Sequence, residues 1–431
     1  MLDSPARGLI WGSSGCDIPT IYDDISVDCL LSLDSGSLKH LFYCRFLLTV
    51  TAIVLLTAAA KMEILHSTIK ALISNLTNIH DETGEYKLNL PDNRIIDTKS
   101  WHGWEWTHGI GLYGLWKYYE LTSDETLLDT IEAWFTARIN EGGTTKNINT
   151  MAVFLALANV YDHSNRFPNQ SQTPRGKGYK PYLESWSDWA MHDLPRTKHG
   201  GFQHITYIES NDQQLWDDTL MMTVLPLARI GQILNRTDYI EEAKRQFLLH
   251  VTYLFDRRSG LFFHGWTFDG MHNFADARWA RGNSWVTMAI PEFIDMLDLP
   301  AGDPVREYLL EVLLAQCEAL RGLQDRDTGG WRTLLDHPDS YIEASATAGF
   351  AYGILKAVRK RYIPVEFKEV GDRAIEAILD SVDDTGELMN TSFGTPMGHD
   401  LDFYKKIPLT AMPYGQAMAI MALGEALRQF L

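Results

Sequence analysis

Two adjacent carboxylates, Asp217 and Asp218, are the residues of this sequence best suited to acid–base chemistry. They follow Trp216 and precede a strongly apolar helical run, LMMTVLPLARIG. A carboxyl group beside Trp216 at a partly buried rim would have a raised pKa, and it would be able to act first as an acid and then as a base. Both carboxylates could instead serve the start of the helix, where negative charge is favourable. Spacing alone leaves both roles open.

Histidine, tryptophan and arginine residues accumulate around this pair. His204 follows one glycine turn, in GGFQH, and His264 follows another. Arg281 lies between Trp279 and Trp285 in WARGNSW, an arrangement that suits a carboxylate-binding guanidinium with stacking walls. Each histidine alone is an ordinary hydrogen-bonded loop residue. Their shared position after turns favours a common site.

Other familiar catalytic motifs are missing or misplaced. The GxGxxG match at Gly109–Gly114 lies in a helical pattern rather than after a strand, so we interpret it as close helix packing and not as a dinucleotide fingerprint. The sequence has no P-loop, no GxSxG, no HExxH and no CxxC pair. It therefore implies no cofactor, and we expect no metal site.

Composition narrows the class of ligand. The chain has 431 residues, of which 45% are hydrophobic and 13 are Trp, so it can bury a large core. Its net charge of −18 argues against nucleic acid as a partner, because phosphate neutralisation needs a field of Lys and Arg. A small anion remains a reasonable ligand where a few cations focus the field.

The first 61 residues differ from the rest. Residues 46–60, FLLTVTAIVLLTAAA, form an apolar run that is short for a spanning helix and resembles the hydrophobic region of a signal peptide. The 45 residues before it are too many for an ordinary leader. A late signal, a signal anchor and an extension ahead of Met62 all stay open, so cytoplasmic, secreted and membrane-anchored locations do too. Membrane contact is expected only if residues 46–60 act as an anchor.

A recurring glycine turn predicts the fold. Gly84, Gly143, Gly201, Gly260, Gly330 and Gly386 are separated by 59, 58, 59, 70 and 56 residues. The pattern between them is helical and predicts twelve helices, at 63–79, 107–121, 125–139, 149–162, 178–192, 215–233, 238–254, 283–297, 304–322, 342–360, 364–381 and 411–430. Pro226 falls inside one of them and predicts a kink or break.

Twelve helices over six turns are six helical hairpins. Their natural closed form is an all-α (α/α)6 barrel, in which an inner ring of helices is surrounded by an outer ring. We expect residues 62–431 to form this single catalytic domain, with residues 1–61 outside it. Loops at one rim can then collect side chains from several hairpins.

At these motifs the chain resembles the unsaturated rhamnogalacturonyl hydrolases of glycoside hydrolase family 105. The matching pieces are PRTxxGGFxH ending at His204, QxWxD ending at Asp218, HxW starting at His264, and WARGNxW from Trp279 to Trp285. GTPMG, Tyr404 and MPYGQ near the C-terminus also match. The resemblance starts near residue 101 and implies an (α/α)6 barrel that acts on short oligosaccharides. The terminal uronic acid of these substrates carries a C4=C5 double bond.

The resemblance also implies a mechanism that needs one carboxyl group. An aspartic acid protonates C4 of the vinyl ether and then, as a carboxylate, helps water add at C5. The resulting hemiketal opens and releases the remaining sugar. Ordinary glycosidases need two carboxylates that flank the bond. By its position in the motif, Asp218 is the general acid and base. Asp217 occupies a variable position of the motif, so we expect it to serve the start of the helix.

The same resemblance assigns the substrate-binding residues. Related glucuronyl hydrolases of family 88 use a second aspartate, and the nearest candidate here is an asparagine, Asn149. Trp216 and His264 are expected to shape the pocket, and Trp106 to lie near its entrance. The full predicted binding set is Trp106, Asn149, His204, Trp216, His264, Trp279, Arg281 and Trp285.

The leading hypothesis is release of an unsaturated uronic acid from rhamnogalacturonan-derived oligosaccharides. Unsaturated glucuronyl or galacturonyl oligosaccharides are alternative substrates. A barrel polysaccharide lyase would create the conjugated double bond that a hydrolase destroys, and a sugar epimerase would leave it unchanged. A helical toroid that only binds a partner is the non-enzymatic alternative. Ultraviolet absorbance separates these hypotheses, whereas the linkage and the sugar in the +1 position depend on loop shape.

Overall fold

The computed structural model describes residues 38–167, 176 and 178–430. Lys61–Leu431 form one compact unit. Of the unit before it, Met1–Ala60, residues 38–60 are described and they are helical. The apolar run 46–60 lies in this helical part, while residues 1–37 of the predicted extension lie outside the described residues. In the described ranges no helix has the length and apolar character needed to cross a membrane. Assignment of residues 1–61 to an extension stays a prediction.

The described part of the chain is mostly helical. We number its helices α1 to α13, and they are α1 Leu38–Asn78, α2 Trp106–Thr122, α3 Glu125–Asn140, α4 Val153–Arg166, α5 Lys180–His192, α6 Leu225–Ile233, α7 Thr237–Leu254, α8 Ala280–Met296, α9 Pro304–Leu323, α10 Ala344–Arg359, α11 Lys368–Asp380, α12 Leu401–Lys405 and α13 Pro413–Leu427. Short 3-10 helices lie at Thr150–Ala152 and Val365–Phe367, and a π-helical turn at Leu220–Val224. Each of the twelve predicted helices is present. The segment predicted at 215–233 differs most, because it begins as a strand.

In the described part of the chain, six short strands lie in the loops. They are β1 Lys87–Asn89, β2 Ile95–Asp97, β3 Gln214–Trp216, β4 Phe255–Asp256, β5 Leu261–Phe262 and β6 Gly265–Thr267. Among the described residues they form three antiparallel pairs, β1 with β2, β4 with β5, and β3 with β6. The last pair joins two different hairpins of the barrel.

The helices form two concentric rings. The inner ring consists of α2, α4, α6, α8, α10 and α13; each packs on the next, and α13 packs against α2, which closes the ring. Inner helices are buried over most of their length, and every residue of α13 is buried. Outer helices bury one stripe, as α1 does with Leu65, Ile69, Leu72 and Leu76. The predicted (α/α)6 barrel is confirmed.

The glycine turns bring the start of every inner helix to one rim. Each turn follows an outer helix and requires positive φ, such as 75° at Gly84 and 74° at Gly260, which glycine adopts without a steric penalty. The residue with positive φ is Gly200 in the third turn and Gly329 in the fifth. Each lies one position before the glycine expected from the repeat. Six helix N-termini, with their partial positive charges, therefore surround one end of the barrel.

Candidate active site

A cavity of about 600 Å³ opens at the rim where the inner helices begin. Two loops complete its wall, one containing Tyr207 and Glu209 and the other running from Phe393 to Met397. The structure brings six of the predicted site residues together in its lining: Trp106, Asn149, His204, Trp216, Asp218 and Trp279. They come from four hairpins, as expected for a site built by loops at one rim.

Pairing of β3 with β6 places Asp218 beside His264. The register sets Trp216 opposite Gly265, and the Asp217 N–H donates to the His264 carbonyl oxygen at 3.1 Å. As a result the Asp218 Oδ2 lies 3.3 Å from His264 Nε2. Neither residue can reach the other through local sequence, so the two-stranded sheet is what assembles this contact.

The helix that follows Asp218 starts irregularly. Its first turn, Leu220–Val224, is π-helical, and the Leu225 N–H donates to the Leu220 carbonyl. Pro226 has no N–H to donate back to Met222, so it removes one bond of the regular α-helical ladder. The kink or break expected at Pro226 therefore takes the form of a π turn just before it. Such turns are frequent at functional sites.

His264 is held in a fixed orientation from behind. It is 1% exposed, and its Nδ1 lies 2.7 Å from the Tyr404 hydroxyl, which also accepts a hydrogen bond from the Gly398 N–H at 3.1 Å. When Tyr404 donates to Nδ1, Nε2 carries the N–H of that tautomer. This nitrogen faces the Asp218 carboxylate at 3.3 Å.

Opposing effects act on the Asp218 carboxyl, whose side chain is 13% exposed. Burial disfavours its ionised form, but the imidazole of His264 next to it outweighs burial and lowers its pKa. Burial lowers the pKa of His204 to about 3, so this ring is neutral. It stacks on Trp216 at 4.2 Å between ring centres. In the free protein Asp218 is therefore ionised.

Asp217 does not occupy the position expected of a helix-start residue. It is 0% exposed, and both its side-chain oxygens lack a hydrogen-bond partner among the described residues. Burial, and next the charge of Asp218, raise its pKa well above the ordinary value. Its carboxyl group packs on the backbone of Gly282, where a Cβ atom would approach within 2.2 Å of Oδ2. The side chain therefore does not cap the helix, and its surroundings favour the protonated form.

Glu105 is a site residue that sequence reasoning missed. It caps α2, accepts a hydrogen bond from the Trp106 N–H at 2.7 Å, is 3% exposed and lines the cavity. Burial raises its pKa to about 8, although the hydrogen bond with Asn149 opposes this. The available signal was an acidic residue between two tryptophans at a helix start, in WEWTHG.

Arg281 and Trp285 lie behind the wall of the cavity rather than in it. Both are 0% exposed, and neither is among the lining residues. The Arg281 guanidinium donates to the carbonyls of Ser392 at 3.0 Å and Phe393 at 3.1 Å, and to Thr395 Oγ1 at 2.9 Å. It therefore holds the loop that forms part of the wall. Trp285 packs edge-on against Trp106, with ring centres 6.0 Å apart.

Some donors in this region have no acceptor. Within the described residues, Nε of Arg281 and Nε1 of both Trp279 and Trp285 are buried and unpartnered. Buried donors in folded proteins are nearly always paired with protein, water or ligand. Of the three, Nε1 of Trp279 belongs to a residue that lines the cavity, and it is suited to meet an acceptor brought by a bound molecule.

Asp217, Asp218 and His264 also satisfy a simple geometric condition for metal binding. Each offers one ligand atom, and these atoms lie within 4.8 Å of one another. Two carboxylates and an imidazole are donors that divalent cations accept. However, an Asp218 oxygen that coordinates a cation cannot also deliver a proton from that position. The arrangement accommodates either a shared proton or a cation, and the two have different chemical consequences.

Comparison with known proteins gives consistent results. The profile of Glycosyl Hydrolase Family 88 matches residues 78–430. A curated relative from Bacillus subtilis (strain 168), called unsaturated rhamnogalacturonyl hydrolase YesR, is 28% identical over 331 residues, which cover 75% of this chain and 90% of that protein.

Two solved structures are more similar in sequence. Each is described as a possible member of the GH105 family. The one from Salmonella enterica serovar Paratyphi A is 58% identical, with a TM-score of 0.82 over 85% of this chain and 94% of that chain. The one from Klebsiella pneumoniae is also 58% identical, with a TM-score of 0.80 over 85% and 93%.

Proposed function

The chain belongs to Glycosyl Hydrolase Family 88, and we propose that it removes a terminal unsaturated uronic acid from rhamnogalacturonan-derived oligosaccharides by hydrating the C4=C5 bond. The resemblance to unsaturated rhamnogalacturonyl hydrolases is confirmed by the relatives described above. The observation that carries the proposal is the placement of Asp218 on the wall of an aromatic cavity with His264 behind it.

The cavity suits a single sugar ring with a carboxylate. Trp106, Trp216 and Trp279 line it, and aromatic faces pack against the apolar faces of sugar rings. The N-termini of the inner helices and the unpartnered N–H groups near Trp279 provide a favourable environment for negative charge. We assign Asn149 and His204 polar contacts with this ring.

The reaction then needs one carboxyl group in two states. Protonated Asp218 gives its proton to C4, and the electrons of the C4=C5 bond form the new C–H bond, which leaves positive charge shared by C5 and the ring oxygen. The Asp218 carboxylate next takes a proton from water while the water oxygen bonds to C5. The hemiketal at C5 opens to a ketone, and the hemiacetal left at C1 releases the remaining sugar.

His264 and Arg281 act on this step from outside the cavity. His264 donates to the carboxylate form of Asp218 and keeps its oxygen pointed at the ring. Arg281 holds the Ser392–Thr395 loop against the cavity. We therefore assign it two roles, which are to position that part of the wall and to bind substrate as predicted from its motif. Trp285 supports Trp106 in the same way.

Ultraviolet absorbance tests the proposal directly. The full chain is incubated with unsaturated rhamnogalacturonan, galacturonan and glucuronan disaccharides, and the absorbance of the conjugated double bond is followed. We expect it to fall, fastest with the rhamnogalacturonan disaccharide. A rise on intact pectin would instead identify a lyase, and isomerised products with unchanged absorbance an epimerase. Fastest turnover of the glucuronan or galacturonan disaccharide would move the substrate assignment to that polymer.

A further inference from the structure

The cavity has a buried floor and an exposed mouth. Trp216 and Trp279, which are 5% and 1% exposed, belong to the floor together with Asp218. The lining residues that are exposed to solvent mark the mouth, and they are Ile208, Glu209, Pro396 and His399. A terminal uronic acid that reaches Asp218 fills the floor, so the sugar to which it is linked must lie at the mouth.

The mouth carries a negative charge that no lysine or arginine balances. None of the described residues that line the cavity is a lysine or an arginine. Glu209 is held through its backbone, because its N–H donates to Thr206 Oγ1 at 3.1 Å and its carbonyl accepts from the Thr206 N–H at 2.9 Å. In the described part of the chain no partner engages its carboxylate. A free carboxylate at this place repels a second one that approaches it.

The loop that carries Glu209 is anchored to the barrel on both sides of this residue. Before it, the Tyr207 hydroxyl donates to the Trp104 carbonyl oxygen at 3.1 Å. After it, Asn211 Nδ2 donates to the carbonyl oxygen of His204, a residue of the cavity floor, at 2.8 Å. These bonds fix the backbone of Glu209 relative to the floor, so its charge stays at the mouth when a sugar binds.

We propose that Glu209 determines specificity for the +1 sugar, because it disfavours oligosaccharides in which that sugar carries a carboxylate. Discrimination of this kind rests on a repulsive group set against the wrong ligand. In an unsaturated rhamnogalacturonan disaccharide the +1 sugar is rhamnose, which has a methyl group where a uronic acid has its carboxylate. Ile208 beside Glu209 is 57% exposed and offers that methyl group an apolar contact. The inference rests on the proposed function and deepens it, since it names the group that selects a neutral +1 sugar.

The kinetic test compares the unsaturated disaccharides of galacturonan and rhamnogalacturonan at low salt and about pH 7.5, where histidine side chains are ordinarily neutral. The quantity measured is the ratio of kcat/KM for the galacturonan disaccharide to that for the rhamnogalacturonan disaccharide. We expect Glu209→Gln to raise this ratio about three-fold, the size of an exposed charge interaction. Glu209→Lys should raise it about ten-fold, because attraction then replaces repulsion. Both gains should vanish at about 1 M salt, which screens exposed charges.

A matched control separates this local effect from the overall negative charge of the protein. Glu82→Gln removes the same charge from an exposed residue of the first glycine turn, which does not line the cavity. It should leave the ratio at its wild-type value. An unchanged ratio in both Glu209 variants, or an equal gain in Glu82→Gln, would overturn the proposal.

Calorimetric titration provides a readout that does not need turnover. Asp218→Asn protein, with and without the additional change Glu209→Gln, is titrated with each disaccharide. We expect the additional change to tighten binding of the galacturonan disaccharide about three-fold and to leave the Kd of the rhamnogalacturonan disaccharide unchanged. The same change in both Kd values overturns the proposal. Failure of the proposed function would instead be seen as unchanged absorbance of every disaccharide with the wild-type protein, and the titrations would still decide the role of Glu209.

Discussion

Two acidic centres lie inside the barrel at opposite ends, and they differ in their partners. Asp217 and Asp218 lie at the start of the inner helix α6. His264 lies beside Asp218, and both Asp217 oxygens lack partners in the described residues. Glu292, near the end of α8, is 3% exposed. It accepts hydrogen bonds from Tyr113 at 2.9 Å and from Tyr352, and pairs with Lys356 at 2.8 Å.

The partners decide the proton affinity of each group. Burial acts on all three carboxyls in the same direction, toward a raised pKa. At Glu292 the charges of Lys117 and Lys356 outweigh burial and hold the pKa well below its usual range. At Asp217 no cation opposes burial, and the neighbouring Asp218 adds to it. The Glu292 centre, whose carboxylate is fully paired, stabilises the barrel. The Asp217–Asp218 centre, whose carboxyl groups lack partners, can exchange a proton.

The same contrast applies to the two cavities. A cavity of about 770 Å³ at the far end of the barrel is larger than the one beside Asp218. The cations along its wall are matched by carboxylates, in the pairs Lys117–Glu120, Lys356–Asp295, Lys360–Asp295, Arg359–Glu425 and Arg428–Glu425. The smaller cavity therefore differs from the larger one in having unpartnered polar groups beside it.

The largest effect is expected from Asp218→Asn, which removes the carboxyl that donates and accepts the proton. We expect kcat/KM to fall about 10³- to 10⁴-fold, measured by loss of absorbance with an unsaturated disaccharide. Asp269→Asn, an exposed aspartate after β6 on the same rim, is the matched control and should keep full activity. Retained activity in Asp218→Asn would falsify its assignment as the acid and base.

At the opposite end, Glu292→Ala should affect stability and not chemistry. It leaves Lys356 and Lys117 without their shared partner, and loss of one member of a buried ion pair costs about 3–5 kcal/mol. Urea unfolding monitors the free energy of unfolding, with Glu311→Ala on the exposed face of α9 as control. Equal stability of the two variants would mean that the network contributes little.

The pH dependence of this stability follows from the lowered pKa of Glu292. A group whose folded pKa is depressed contributes stability above its unfolded pKa of about 4.3 and loses it as pH falls toward the folded value. The stability difference between wild type and Glu292→Ala should therefore be full at neutral pH and narrow below about pH 4. A difference that stayed constant through that window would contradict the role given to its charge.

A smaller effect is expected from Tyr404→Phe, which removes the hydroxyl that contacts His264 Nδ1 at 2.7 Å. Without it the imidazole can hold its proton on Nδ1, and the contact with Asp218 loses its donor. One such hydrogen bond is worth about 1–2 kcal/mol, so kcat should fall about 10-fold while KM changes little. Tyr308→Phe on α9 is the control. A change in KM alone would indicate a binding role for Tyr404.

The smallest effect concerns Glu105, whose pKa burial raises to about 8. Below this pH the neutral carboxyl tolerates an anionic substrate, and above it the carboxylate repels one. Wild-type KM should therefore rise a few-fold between pH 7 and 9, and Glu105→Gln should abolish the rise. Glu85→Gln, an exposed residue of the first glycine turn, serves as control and should keep the wild-type dependence.

Local pattern predicted the fold because its determinants are local. The helical periodicity and the glycine turns repeat within each hairpin, so the twelve helices and the common rim follow without knowledge of long-range contacts. The same holds for the gathering of Asp218, His204 and Trp216 at that rim. In two turns the glycine with positive φ is the first of a Gly-Gly pair, whereas the repeat was counted on the second. Either glycine satisfies the repeat, so only the backbone conformation shows which one adopts positive φ.

The sequence by itself determined the six hairpins, the acidic pair after Trp216 and the aromatic composition of the cavity. The tertiary structure decided which polar groups have partners. The pKa of Asp217 is raised because α8 covers its carboxyl group through Gly282, and Arg281 holds a loop that is 111 residues away in the chain. Burial and hydrogen-bond partners come from elements distant in sequence, and they set the charge of each carboxyl. No spacing of residues within one hairpin encodes them.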